Sequence, residues 1–184
     1  MALRLIREEG DDILNRQSRE VTEVNDKIKL LIGDMKETMI DAGGVGLAAV
    51  QVGVLRRIVV IDVDGTREEE DESGNKKRKK RNPEEAKQDS SELLVMINPK
   101  IVDKSGEQTG DEGCLSFPGK AGKVTRPDHV VVKALDMDMN EITVEGEGLL
   151  ARALCHEIDH LDGHIYTEKV EGEIFEVKAE EEEE

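Results

Sequence analysis

Apolar positions along the chain follow two distinct rhythms, and these place most of its elements. Between residues 25 and 41, Ile28, Leu31, Ile32, Met35 and Met39 recur every three or four residues, the spacing of one buried stripe on a helix. Asn25 stands where an N-cap belongs, and Gly43-Gly44 where such a helix stops. Residues 57–62 (RIVVID) and 93–102 (LLVMINPKIV) are continuous β-branched and aliphatic runs, which read as buried strands, with Pro99 marking a bend or an edge. Residues 129–135 and 141–145 read as a hairpin around Asp136–Asn140. Gly146-Glu147-Gly148 then leads into a helix over about 148–162, ended by Gly163. Strands before and around one late helix predict an α+β fold, with mainly antiparallel sheets packed around a C-terminal helix.

Charge breaks this pattern in two places. Residues 64–92 carry ten acids and eight bases with no apolar spacing, and the chain ends in Glu180–Glu184. Both stretches are expected to be solvated and flexible. The organisation that follows is a domain over 1–170, interrupted by a charged insertion at 64–92, and an acidic tail over 171–184. Lys76–Arg81 (KKRKKR) resembles a nucleic-acid patch, but Glu68–Glu72 lies beside it, so a self-neutralising loop is expected. A net charge of −17 opposes binding to phosphate backbones, and three aromatic residues leave little for base stacking. No specific nucleic-acid partner is expected. No apolar run approaches the ~20 residues of a membrane span, and the first residues lack the pattern of a signal peptide. The expected setting is cytoplasmic, with Cys114 and Cys155 as thiols.

The C-terminal helix carries the chemistry. His156-Glu157-Ile158-Asp159-His160 is an H-E-x-x-H pattern. Residues four apart share a helix face, so both imidazoles can grip one metal ion while Glu157 serves a water there as general base. A catalytic site of this kind usually has a third protein ligand. The longer pattern ending in a third histidine fails, because Tyr166 occupies that position and His164 falls two residues early. Cys114, in Glu112-Gly113-Cys114-Leu115-Ser116, is the better third ligand: one thiolate and two imidazoles leave an open position. Such a set can hold zinc, iron, nickel or cobalt. Cys155 is read as a buried structural thiol, and His129 and His164 as surface residues. Asp159 lies on another helix face, where Arg126 could pair with it and fix the helix on the sheet.

Three motifs in order give the chain a resemblance to the peptide deformylase family: Gly44-Val45-Gly46-Leu47-Ala48-Ala49-Val50-Gln51, Glu112–Ser116, and His156–Leu161. The flanking sequence is similar from about residue 11 to 170. The resemblance implies a metal-dependent hydrolase that removes the N-formyl group from the initiator methionine of nascent peptides and releases formate. It implies Cys114, His156 and His160 as ligands of one divalent metal, Fe(II) in the natural state. It implies Glu157 as the group that accepts and returns the proton, and Gln51 with the backbone N–H of Leu115 as donors to the oxyanion. Gly46 would contact the substrate backbone, and Val45 would line the methionine pocket. The chain departs from the family in carrying Val50 where proline is usual and in lacking a proline near residue 12. Some members dock on the ribosome through a basic C-terminal helix, a mode that Glu180–Glu184 does not fit, so the resemblance implies ribosome contact without that docking mode.

Overall fold

The computed structural model describes residues 2–79 and 93–177. Its first helix, α1 (Asp26–Asp41), begins where Asn25 accepts a hydrogen bond from the Ile28 amide at 3.1 Å. It ends in a glycine turn, with Gly43 at φ 65° and its amide bonded to the Ile40 carbonyl. The stripe on α1 buries Leu31, Ile32, Met35 and Met39 against Leu47, Ile58, Val60 and Ile97.

That contact is one face of a five-stranded sheet of order β1-β2-β5-β8-β9, every neighbour antiparallel. Its strands are β1 (Gly46–Ala48), β2 (Ile58–Asp62), β5 (Leu93–Ser105), β8 (His129–Leu135) and β9 (Glu141–Glu147). Successive side chains in a strand point to opposite faces. Val59, Ile61 and Met96 therefore face away from α1 and pack on the second helix, α2 (Gly148–Leu161), against Ala151, Leu154, Ile158 and Leu161. Burial on both faces explains why residues 58–61 read as one continuous apolar run.

The second sheet, of order β10-β7-β6, has β7 in contact with α2. It is built from β6 (Gln108–Cys114), β7 (Phe117–Arg126) and β10 (Phe175–Glu176). Lying between two sheets, α2 buries ten of its fourteen residues, polar ones included.

The structure adds to the sequence reading in four places. Pro99 marks a bend, not an edge, since β5 lies inside its sheet. The register shifts there between Ile97 and Lys100, and Asn98 takes φ 51°. The Asn98 side chain bridges Val21, accepting from its amide at 2.8 Å and donating to its carbonyl at 2.9 Å. Next, β6 and β7 went unread, and β10 places the start of the supposed tail, through Val177, in the second sheet. Finally, the first part of the insertion has regular structure. A short 3-10 turn (Asp64–Thr66) leads into β3 (Glu68–Glu70), which pairs with β4 (Lys76–Arg78). The turn is closed by Asp71, whose carboxylate accepts from the Ser73 and Asn75 amides, both at 2.9 Å. Two ion pairs within this hairpin follow the expected self-neutralisation, Lys76–Glu68 at 3.2 Å and Lys77–Asp71 at 3.6 Å, while Lys80 and Arg81 of the basic run lie outside the described residues. Residues 80–92, and the acidic run Glu180–Glu184, lie outside the described residues. Among the described residues, no helix is long and apolar enough to cross a membrane.

Candidate metal centre

Three side chains from two elements converge beside α2. His156 and His160 are one turn apart on the helix face turned to the second sheet, and Cys114 ends β6. The Nε2 atoms of the two histidines are 3.2 Å apart, and Cys114 Sγ is 3.3 Å from His160 Nε2. The three donor atoms all lie within 4.8 Å of one another. One soft thiolate and two imidazoles, aimed at one point, fit a divalent metal with a coordination position left over.

A buried acid holds the first histidine. Glu112 accepts from His156 Nδ1 at 2.6 Å, from Arg126 Nη2 at 2.6 Å and Nε at 3.1 Å, and from Arg152 Nη1 at 2.8 Å. With Nδ1 engaged there, Nε2 is directed at the metal position. Burial alone would raise the Glu112 carboxyl, but His156 and Arg126 outweigh it and hold the group well below the usual carboxylate range. Arg126 also donates through Nη1 to Asp159 Oδ2 at 2.6 Å, the pairing expected from sequence, and so ties α2 to β7. Tyr166 stacks on the His156 ring at 6.0 Å. Arg152 was not foreseen, although it precedes His156 by four residues and so shares its helix face. The role of Glu112, two residues before Cys114, also went unread.

Glu157 faces a cavity of about 570 Å³ lined by the first motif, the β6–β7 turn and α2. Its Oε2 is buried with no hydrogen-bond partner among the described residues. Burial pushes its carboxyl up to about 7. The chain leaves room for this acid through Gly46, where a β-carbon would stand 2.7 Å from Glu157 Cδ. Gln51 sits in a 3-10 turn (Ala49–Val52) directly after β1. Its Oε1 accepts from the Ala48 amide at 2.8 Å, leaving Nε2 to point at Cys114 Sγ (3.4 Å) and Ser116 Oγ (3.2 Å). The turn is pinned from outside by the Arg7 amide, bonded to the Gln51 carbonyl at 2.7 Å. Val45, Gly46 and Leu115 line the same cavity.

The site residues named from the motifs lie together around this cavity, and the other candidate residues lie elsewhere. Cys155 is buried in the sheet-facing core, His129 pairs with Glu145, and His164 pairs with Glu168. Val50, in place of the usual proline, is fully buried in that same core.

Comparison with known proteins gives a consistent picture. The family model described as polypeptide deformylase matches residues 3–174. A peptide deformylase of Lachnoclostridium phytofermentans is 55% identical over 184 residues, covering 100% of this chain and 99% of that protein. The crystal structure of a peptide deformylase from Legionella pneumophila superposes with TM-score 0.76 at 38% identity, over 92% of this chain and 86% of that one. A Met-Ala-Ser-bound peptide deformylase from Acinetobacter baumannii superposes with TM-score 0.75 at 27% identity, over 91% and 98%.

Proposed function

The chain belongs to the peptide deformylase family, and we propose that it hydrolyses N-formyl-methionyl peptides with Glu157 handling the proton and Gln51 and Leu115 stabilising the oxyanion. The overall reaction removes the formyl group from nascent peptides. The observation that carries the residue assignment is the pairing of a buried, unpartnered Glu157 Oε2 with the converging Cys114, His156 and His160. A purely structural metal site needs no such acid.

In this reading, Cys114, His156 and His160 hold one divalent metal, which when bound acts as a Lewis acid toward water and the formyl oxygen. Fe(II) is proposed as the resident ion on the family resemblance; zinc, nickel and cobalt suit the same donors. The peptide backbone runs past Gly46, and the methionine side chain enters beside Val45. Glu157 Oε2 takes a proton from the attacking water and returns it to the amine nitrogen as the C–N bond breaks. Burial, which raises this carboxyl, keeps the proton available for that return. The formyl oxygen, gaining negative charge, is met by Gln51 Nε2 and the Leu115 backbone N–H. Gln51 needs little reorganisation, because the Ala48 amide already fixes its other end. The Met-Ala-Ser peptide held by the Acinetobacter relative has the composition of a deformylated product, which supports this choice of substrate.

We place the enzyme in the cytoplasm, acting on nascent chains. The test is anaerobic incubation of metal-loaded protein with formyl-Met-Ala-Ser, following formate and the free amine together. Equimolar formate and amine are expected. Cleavage of an internal peptide bond without formate release would instead favour an endopeptidase.

A further inference from the structure

The charged hairpin of the insertion reaches the rim of the substrate cavity. Arg78, the last residue of β4, lines that cavity together with Ala42–Gly44, Asp111, Pro118–Lys120 and Val177. Its Nη2 donates to the Gly43 carbonyl at 3.4 Å, so the guanidinium lies over the loop that opens the first motif. The base of the hairpin is fixed. The Lys79 amide donates to the Arg67 carbonyl at 3.0 Å, and Arg67 pairs with Asp64 at 2.9 Å.

Each lysine of this strand end has a carboxylate partner. Lys76 pairs with Glu68, Lys77 with Asp71 and Lys79 with Asp64. Across the rim, Lys120 pairs with Glu9, and Asp111 with Lys123. Within this group Arg78 makes its hydrogen bond to a backbone carbonyl and has no carboxylate partner among the described residues. A formylated peptide brings no ammonium group into the cavity. With its first residue beside the buried Glu157, a peptide whose following residues leave over this side of the rim passes the exposed Arg78.

We propose that Arg78 is a specificity-determining residue, which favours substrates with an acidic side chain among the three residues after formyl-methionine. This rests on the deformylase reading above. The contact is a solvent-exposed ion pair, so the preference is modest, up to about five-fold in kcat/KM. It acts through KM, because the contact is made equally in the bound ground state and the transition state.

The experiment uses C-terminally amidated peptides, so that no terminal carboxylate competes. A single Glu, Gln or Lys is walked through positions two to four of formyl-Met-Ala-Ser-Ala, at fixed ionic strength, with the metal-loaded parent and Arg78→Ala, Arg78→Lys and Arg78→Glu. The expected result is a Glu-over-Gln ratio of about three- to five-fold at one position in the parent. The ratio falls to near one in Arg78→Ala, is retained in Arg78→Lys and is inverted in Arg78→Glu, with the change carried by KM. A parent with no Glu preference at any position, or one whose preference survives Arg78→Ala and Arg78→Glu, overturns the proposal. Absence of formate release from every peptide would sink the deformylase reading and the proposal with it.

Discussion

Replacing Glu112 with glutamine keeps the shape of the residue that organises the centre but removes its charge. The carboxylate takes four hydrogen bonds, two at each oxygen: Oε1 from His156 Nδ1 and Arg126 Nη2, Oε2 from Arg126 Nε and Arg152 Nη1. An amide keeps one oxygen and turns an NH2 group towards two of those donors. Breaking a buried charged network usually costs about 3–5 kcal/mol. The lower end applies here. Arg126 keeps Asp159, and Arg152 keeps the Val124 carbonyl at 3.1 Å. For a chain of this length, about 3 kcal/mol lowers Tm by roughly 6–12 °C. His156 also loses the charged acceptor that fixes its ring, for which a loss of about 10–100-fold in metal affinity is expected. Thermal unfolding of the metal-free proteins and competition against a chelator would measure the two effects separately, because bound metal itself raises Tm. A Glu112→Gln protein with Tm within about 2 °C of the parent and unchanged metal affinity would refute the argument that this network positions the ligands.

Gly46→Ala should remove at least about 100-fold of activity, because its β-carbon displaces the Glu157 carboxylate, while a metal assay still finds a full site; undiminished turnover would show that Glu157 has room to move. Asp34, buried under the N-terminal segment, offers a test by pH. Burial would raise its carboxyl, but the Ala2 amide and the Arg4 guanidinium hold it below its ordinary value. A depressed folded-state value means stability that is present above the ordinary carboxylate range and lost as pH falls through the lowered one. The loss of Tm on acidification should therefore be shallower in Asp34→Asn than in the parent, and identical slopes would show that the contact contributes nothing.

How much of this was legible follows from where the apolar residues lie. Helix α1 declares itself because one face is buried and the other wet. The site declares itself because H-E-x-x-H and the cysteine motif have fixed chemistry and spacing. The second sheet stayed hidden because its strands carry few large apolar residues. In Gln108–Arg126, Gly110, Gly113, Gly119 and Gly122 interrupt the alternation. Gly122 is set by long-range packing, since a β-carbon there would stand 2.7 Å from Val170 Cγ1. The β3–β4 hairpin has no apolar pattern to read. Its sequence signal is the turn Asp71-Glu72-Ser73-Gly74-Asn75, with Gly74 at φ 76°. The role of Glu112 was invisible for a different reason: its partners Arg126, Arg152 and His156 are brought together only when β6, β7 and α2 pack.

The most direct test of the account is Glu157→Gln, prepared anaerobically and compared with the parent for both metal content and formate release from formyl-Met-Ala-Ser. The account predicts an equal amount of bound metal and a loss of about 100- to 10,000-fold in kcat, since the amide keeps the shape of Glu157 but cannot take the proton. A variant that binds metal normally and still releases formate at the parent's rate would contradict the central claim that Glu157 carries the proton in this reaction.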